Sequence, residues 1–194
     1  MTEKFNVANI EYGSEIYGPG IRTVIWFQGC NLGCKGCWNV DFQSLEPNIL
    51  VNREDLLKDI LDHSMPVTFL GGEPLLQSDN LSWLVSSLKD HSIHMMLYTG
   101  HELEEIERNP QWSEICKTVD ILISGRYIER LRNTNLSWRG SSNQPIIFNS
   151  NPEDVDECNQ VEVTIGPNGS ITCLGYPSDG LRLFLKNIDF QELN

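Results

Sequence analysis

The chain has 194 residues, 40% of them hydrophobic and 21% charged, which suits one domain with a proper core and excludes a disordered chain. Fourteen Lys and Arg against 27 Asp and Glu leave a net charge of −13, which argues against broad binding to nucleic acid or an anionic membrane surface. No apolar run approaches the roughly 20 residues of a membrane span, and the start MTEKFNVANIEYG lacks a signal peptide's basic and apolar parts, so a cytoplasmic location is expected.

In chain order, the first readable element is a strand over Arg22 to Gln28, rich in β-branched and aromatic residues. Asn52 can cap a helix that carries Leu56, Leu57, Ile60 and Leu61 on one face. Pro66 to Leu70 reads as a short buried strand. Leu81, Leu84, Val85 and Leu88 then give the stripe of an amphipathic helix. Ile93 to Tyr98 is the next strand, and His101 to Arg108 a short helix stopped by Asn109-Pro110. Val119 to Ser124 is a further apolar strand, with a helix expected near Tyr127 to Arg132. Past the acidic break at 150–158, Val161 to Ile165 and Ser170 to Leu174 flank GPNG and read as a hairpin.

Strand starts at residues 66, 93 and 119 have the spacing of βαβ crossovers. The expected fold is therefore α/β: an incomplete parallel (β/α) barrel over 1–150, with 151–194 as a small C-terminal β-hairpin appendage packed on the same domain. Glycines end all four parallel strands: Gly29, Gly71-Gly72, Gly100 and Gly125. Glycine lets backbone approach a ligand closely, and parallel α/β folds place their sites at this edge.

Of six cysteines, Cys30, Cys34 and Cys37 fall in one Gly-rich loop after the first of these strands. This C-x3-C-x2-C arrangement can hold three corners of a cubane iron–sulfur cluster and leave one iron open. A structural zinc site is the alternative, but zinc is usually closed by four ligands, and no further Cys or His stands in a paired spacing. Cys116, Cys158 and Cys173 are isolated and read as buried apolar side chains rather than a second cluster. The run Glu102, Glu104, Glu105 and Glu107 reads as a wet helix face.

The triple-cysteine loop at the end of a strand, with GGEP after the next, resembles the radical S-adenosylmethionine enzymes. Gly18-Pro19-Gly20-Ile21-Arg22 looks like the lead-in of glycyl-radical-enzyme activases. GCNLGCKGCWN (29–39), GGEPL (71–75), YTG (98–100), VDILISGRYIERL (119–131) and WRGSSNQ (138–144) are similar to the family that activates anaerobic ribonucleotide reductases.

The resemblance implies a barrel of the radical S-adenosylmethionine type and a [4Fe-4S] cluster on Cys30, Cys34 and Cys37. It implies S-adenosyl-L-methionine on the open iron, contacted around Gly36, Trp38, Gly71, Gly72, Glu73, Thr99 and Ser124, the last standing where relatives often carry Asp. It also implies a glycyl-radical protein such as anaerobic ribonucleotide reductase as partner, and a one-electron reductant such as flavodoxin or ferredoxin. Arg139, Ser141, Ser142, Asn143 and Gln144 are dense in donors and would line the partner-facing edge, or else form a hydrogen-bonded loop. The alternatives are a radical enzyme that modifies another peptide or protein, an iron–sulfur electron carrier, or a zinc-binding module. A carrier would be expected to supply four cysteines and has no need of GGEP.

Overall fold

The structure, a computed structural model, describes residues 3–151, 155, 160–186 and 191–192. Its main sheet is built from β1 (Lys4–Ser14), β2 (Arg22–Phe27), β3 (Ile49–Asn52), β4 (Val67–Gly71), β5 (Met95–Tyr98), β6 (Ile121–Ile123) and β7 (Ile146–Phe148). The strand order is β3-β1-β2-β4-β5-β6-β7. The four central strands, β2, β4, β5 and β6, run parallel, as the crossover spacing predicts. The outer strands β1, β3 and β7 are antiparallel, so the sheet is mixed and open, and no closed barrel forms.

Helices α1 (Arg53–His63), α2 (Ser78–Asp90), α3 (Leu103–Arg108) and α4 (Pro110–Thr118) connect the strands. They cover one face, where Ile25, Phe27, Val67, Phe69 and Leu97 meet Leu56, Ile60, Leu84 and Ile115. Alternation along the strands sends Val24, Trp26, Leu70, Met96 and Ile123 to the opposite face.

The structure differs from the sequence-based expectations at three points. The cysteine loop follows the second strand of the chain, because Lys4–Ser14 forms a strand that its sequence does not announce. Register shifts at Val7/Asn9 and Tyr12/Ser14 break the period-2 pattern that would reveal it. Pro110, read as a stop, does end α3 but also opens α4 at its first turn, where Asn109 Oδ1 accepts from Gln111 N and Trp112 N. The helix expected near Tyr127 to Arg132 is a single 3-10 turn over Glu129–Leu131.

The hairpin is present as β8 (Val161–Ile165) and β9 (Ile171–Gly175), followed by α5 (Asp179–Lys186) and a two-residue β10 (Gln191–Glu192). It is tied to the chain's first third. Glu162 accepts from Ser14 Oγ at 2.7 Å and Glu15 N at 2.6 Å, and Gly175 N donates to Tyr17 Oη at 2.9 Å. Leu174 joins Ile16, Tyr17, Val24, Trp26 and Leu70 in one apolar cluster.

Arg22 is fully buried, and its guanidinium holds the preceding Gly-Pro-Gly segment to β4. Nε donates to Thr68 Oγ1 (2.7 Å), Nη1 to Pro19 O (2.8 Å) and Nη2 to Val67 O (2.8 Å). Arg22→Met keeps the stem but removes the donors from three acceptors, two of them buried, so urea unfolding is expected to show a loss of about 3 kcal/mol. A loss below about 1 kcal/mol would mean that water replaces the guanidinium at no cost. Among the described residues, no helix is long and apolar enough to cross a membrane.

Candidate functional site

The cysteine loop and the Gly-Gly-Glu segment are built as one piece of backbone. Gly72 N donates to Phe27 O and Glu73 N to Gly29 O, both at 2.8 Å. A Cβ on Gly72 would overlap the Gly29 carbonyl oxygen and lie 2.9 Å from Phe42 O. Gly71 adopts φ +110, and a Cβ there would overlap Phe27 N. Only glycine allows β4 to end this close to β2. The returning chain closes the loop from its other side, with Gly29 N on Phe42 O at 2.8 Å and Cys30 N on Gln43 O at 3.1 Å. Asn39 adds a side-chain tie, Nδ2 to Gly71 O at 3.0 Å.

Cys30, Cys34 and Cys37 are half-buried and line one cavity of about 110 Å³ together with Gly71, Gly72 and Glu73. Trp38, Thr99 and Gln144 border it as well. Burial pushes the Cys30 and Cys34 thiols above their ordinary range. Gly36 lies just outside the cavity at φ +70, where a Cβ would come within 3.0 Å of the Glu129 carboxyl group. Lys35 pairs with Glu129 at 3.3 Å.

Glu73 is the buried charge of the site, with 1% of its surface exposed. Oε1 accepts from Thr99 Oγ1 (2.8 Å) and Leu75 N (3.0 Å), and Oε2 accepts from Gly100 N (2.8 Å). Burial raises its carboxyl above the ordinary value, against the pull of these donors and of His101. The side chain thus braces the end of β4 against the end of β5, which fixes the cavity floor.

The third strand end is arranged differently. Ser124 is buried, and its hydroxyl has no hydrogen-bond partner among the described residues. It borders a neighbouring groove with Glu102, Glu105, Arg126 and Asn143, not the cysteine cavity. Glu105, read as part of a wet helix face, takes a bidentate pair from Arg126 at 2.9 Å on each oxygen. That pair lowers its carboxyl from 4.5 to about 2.

In the 138–144 segment only Ser142 is exposed among the five residues expected at the edge. Ser141 is fully buried, and Ile128 N donates to its Oγ at 3.2 Å. Gln144 Oε1 accepts from Gly140 N and Ser141 N, while its Nε2 donates to Gly125 O at 3.0 Å. Asn143 Nδ2 donates to Arg126 O at 2.8 Å, and Arg139 Nη1 to Gln144 O at 3.4 Å. The segment is internally bonded, and it reaches the cavity through Gln144.

Tyr127 and Tyr176 also line the cavity, and neither stands among the residues expected there. Tyr127 follows the Ser-Gly-Arg strand end directly, a signal that was available. Cys116 is buried in the helix-side core, where burial raises its thiol to about 12, and Cys173 is buried in β9. Cys158 lies outside the described residues.

The donor set fits a [4Fe-4S] cluster. Three thiols share a cavity, and their loop's amides and glycines leave room beside them. Among the described residues, no three His, Cys, Asp or Glu side chains converge as a single metal ion requires. A cubane distributes its thiolates over separate irons and has no such requirement.

Comparison with known proteins agrees. The model of a 4Fe-4S single cluster domain matches residues 16–147. An anaerobic ribonucleoside-triphosphate reductase-activating protein of Haemophilus influenzae is 30% identical over 141 residues, 68% of this chain and 90% of that protein. The protein of the same name from Enterobacteria phage T4 is 30% identical over 146 residues, 70% of this chain and 88% of its own. A pyruvate formate-lyase-activating enzyme of Clostridium pasteurianum is 39% identical over 125 residues, 60% of this chain and half of that enzyme.

Proposed function

The chain belongs to the 4Fe-4S single cluster domain family, together with the anaerobic ribonucleoside-triphosphate reductase-activating proteins, and on that premise we propose that it is a radical S-adenosylmethionine enzyme that installs a glycyl radical on an anaerobic ribonucleotide reductase. The observation that carries this reading is the fusion of the Cys30–Cys37 loop to Gly71-Gly72-Glu73 by direct backbone bonds around one cavity. When bound, the cluster and S-adenosylmethionine would supply the chemistry, a one-electron reductive cleavage of the sulfonium to methionine and a 5′-deoxyadenosyl radical that would take a hydrogen atom from a partner glycine Cα.

The chain's own residues bind and orient. Cys30, Cys34 and Cys37 hold three irons as thiolates, a role supported by their shared cavity. Carbonyl oxygens at Gly71 and Gly72 and the remaining lone pair of Glu73 Oε2 suit an ammonium group, and the buried carboxylate strengthens that contact. Trp38 and Thr99 border the same space. Ser124 faces the next groove rather than this cavity.

We extend the reading to the open half-barrel. Parallel strands β2, β4, β5 and β6 with every connecting helix on one face support kinship with a radical S-adenosylmethionine barrel, with the tail packed as part of the same domain. The electron donor is assigned to a small reductant such as flavodoxin or ferredoxin, and the acidic surface supports a protein partner over nucleic acid or membrane.

Anaerobic reconstitution with iron and sulfide, then dithionite and S-adenosylmethionine, tests the reading. The expected result is about four irons per chain and release of 5′-deoxyadenosine. A full cluster without cleavage would support the electron-carrier alternative.

The 139–144 segment borders the cavity at Gln144, so a partner glycine entering the cavity passes it. Arg139→Glu is expected to reduce glycyl-radical formation about tenfold while changing partner-free cofactor cleavage far less. Both activities are measured on protein with matched iron. Equal loss of both would reassign Arg139 to supporting the loop through Gln144.

A further inference from the structure

The family match ends at residue 147, yet the hairpin beyond it reaches the cysteine cavity. Beside that cavity lies a second, smaller one of about 20 Å³, bordered by Ile16, Tyr17 and Gly175 among others. Leu70, Tyr98 and Tyr176 border both cavities and so form the partition between them. Leu70 and Tyr98 belong to the central sheet, and Tyr176 is the tail's contribution to the partition.

Tyr176 is held firmly in that position. Its ring lies 5.3 Å from the Trp38 ring at an angle of 48°, and Trp38 directly follows the last cysteine of the loop. The absence of a side chain on Gly140 makes room for it, since a Cβ there would lie 3.3 Å from Tyr176 Cε1. On one side Gly175 N is bonded to Tyr17 Oη, and on the other Arg132 Nη2 donates to Pro177 O at 3.2 Å. The Arg132 guanidinium also stands 5.8 Å over the Trp38 ring.

We propose that Tyr176 is a positioning residue of the radical site: it walls the cysteine cavity off from the adjoining one and fixes Trp38, so that hydrogen donors do not reach the reacting carbon from that side. This rests on the activase reading, in which a reactive radical must be passed to one partner atom and kept from solutes. An aromatic ring packed between the two cavities suits that task, because it excludes water and small reductants. The tail is then part of the reaction chamber's wall.

The test uses the full chain with Tyr176→Ala and Tyr176→Phe, and Tyr176→Leu if the alanine form lacks a folded circular-dichroism spectrum. The first readout needs no cluster: alkylation of Cys37 by a bulky maleimide in the metal-free chain, followed by mass spectrometry. Tyr176→Ala is expected to react about fivefold faster, and Tyr176→Phe at the unmutated rate. The second readout is the amount of 5′-deoxyadenosine formed per glycyl radical in the reconstituted enzyme with its partner. That ratio is expected to rise at least about threefold in Tyr176→Ala and to stay unchanged in Tyr176→Phe. Unchanged alkylation in Tyr176→Ala would overturn the wall. Faster alkylation with an unchanged ratio would overturn its shielding role. An unmutated enzyme that cleaves no S-adenosylmethionine would sink the activase reading instead, and the alkylation rates would still decide the wall.

Discussion

Replacing any one of Cys30, Cys34 or Cys37 by Ala is expected to reduce S-adenosylmethionine cleavage to background. The loss should exceed about a hundredfold, since changing even a group that only orients a metal ligand costs about 10- to 100-fold. With three thiols in the loop, each loss uncovers a second iron, and the cluster becomes labile. Iron content and the cluster's visible absorbance should therefore fall together with activity. The same change at Cys116, Cys158 or Cys173 is expected to leave the cluster spectrum intact. For Cys116, buried in the helix-side core, the cost should instead appear in stability, at about 1 kcal/mol. A loop-cysteine variant that kept full iron and cleavage would show that the ligands lie elsewhere.

Gly72→Ala is expected to be nearly as damaging, though it removes no ligand. The added methyl would overlap the Gly29 carbonyl oxygen and stand 2.7 Å from its carbon, so the clash is with backbone that cannot rotate away. Relief requires the ends of β2 and β4 to separate, breaking the bonds of Gly72 N to Phe27 O and Glu73 N to Gly29 O. A cost of about 3 kcal/mol follows, with loss of cluster uptake. Gly33→Ala provides the contrast. Gly33 sits at φ +61 with nothing within 4 Å of its Cβ position, so only backbone strain of about 1 kcal/mol is expected. Thermal midpoints and iron per chain after reconstitution separate the two. A Gly72→Ala protein with a full complement of iron would refute the fused-backbone description of the site.

The parts of the molecule that were legible in the sequence are those governed by local rules. β4, β5 and β6 are short apolar runs with a glycine at the strand end or two residues past it, and their buried-strand pattern survives intact because both faces of the sheet are covered. The cysteine loop and Gly71-Gly72 were legible for a related reason, since close backbone approach admits only glycine. What stayed hidden depends on distant partners. β1 carries bulges, and β3 is an exposed edge strand with Ile49 and Leu50 half open to solvent, so neither shows a clean alternation. The Glu105–Arg126 pair joins residues on separate elements, and no spacing rule announces it. Ser141 looked like a surface donor by composition, whereas its burial follows from the turn that bonds it to Ile128 and Gln144. Tyr176 reaches the cavity only because the hairpin folds back on Tyr17, a contact between residues 158 positions apart.

On the proposed function, this chain generates a radical in the cysteine cavity and passes it to a protein glycine. Electron paramagnetic resonance of the reconstituted enzyme, mixed anaerobically with dithionite, S-adenosylmethionine and an anaerobic ribonucleotide reductase, tests it directly. The account predicts the doublet of a glycyl radical on the reductase, growing with 5′-deoxyadenosine and absent with Cys34→Ala. A reduced-cluster signal that persists after S-adenosylmethionine is added, with no 5′-deoxyadenosine and no radical on the reductase, would contradict it.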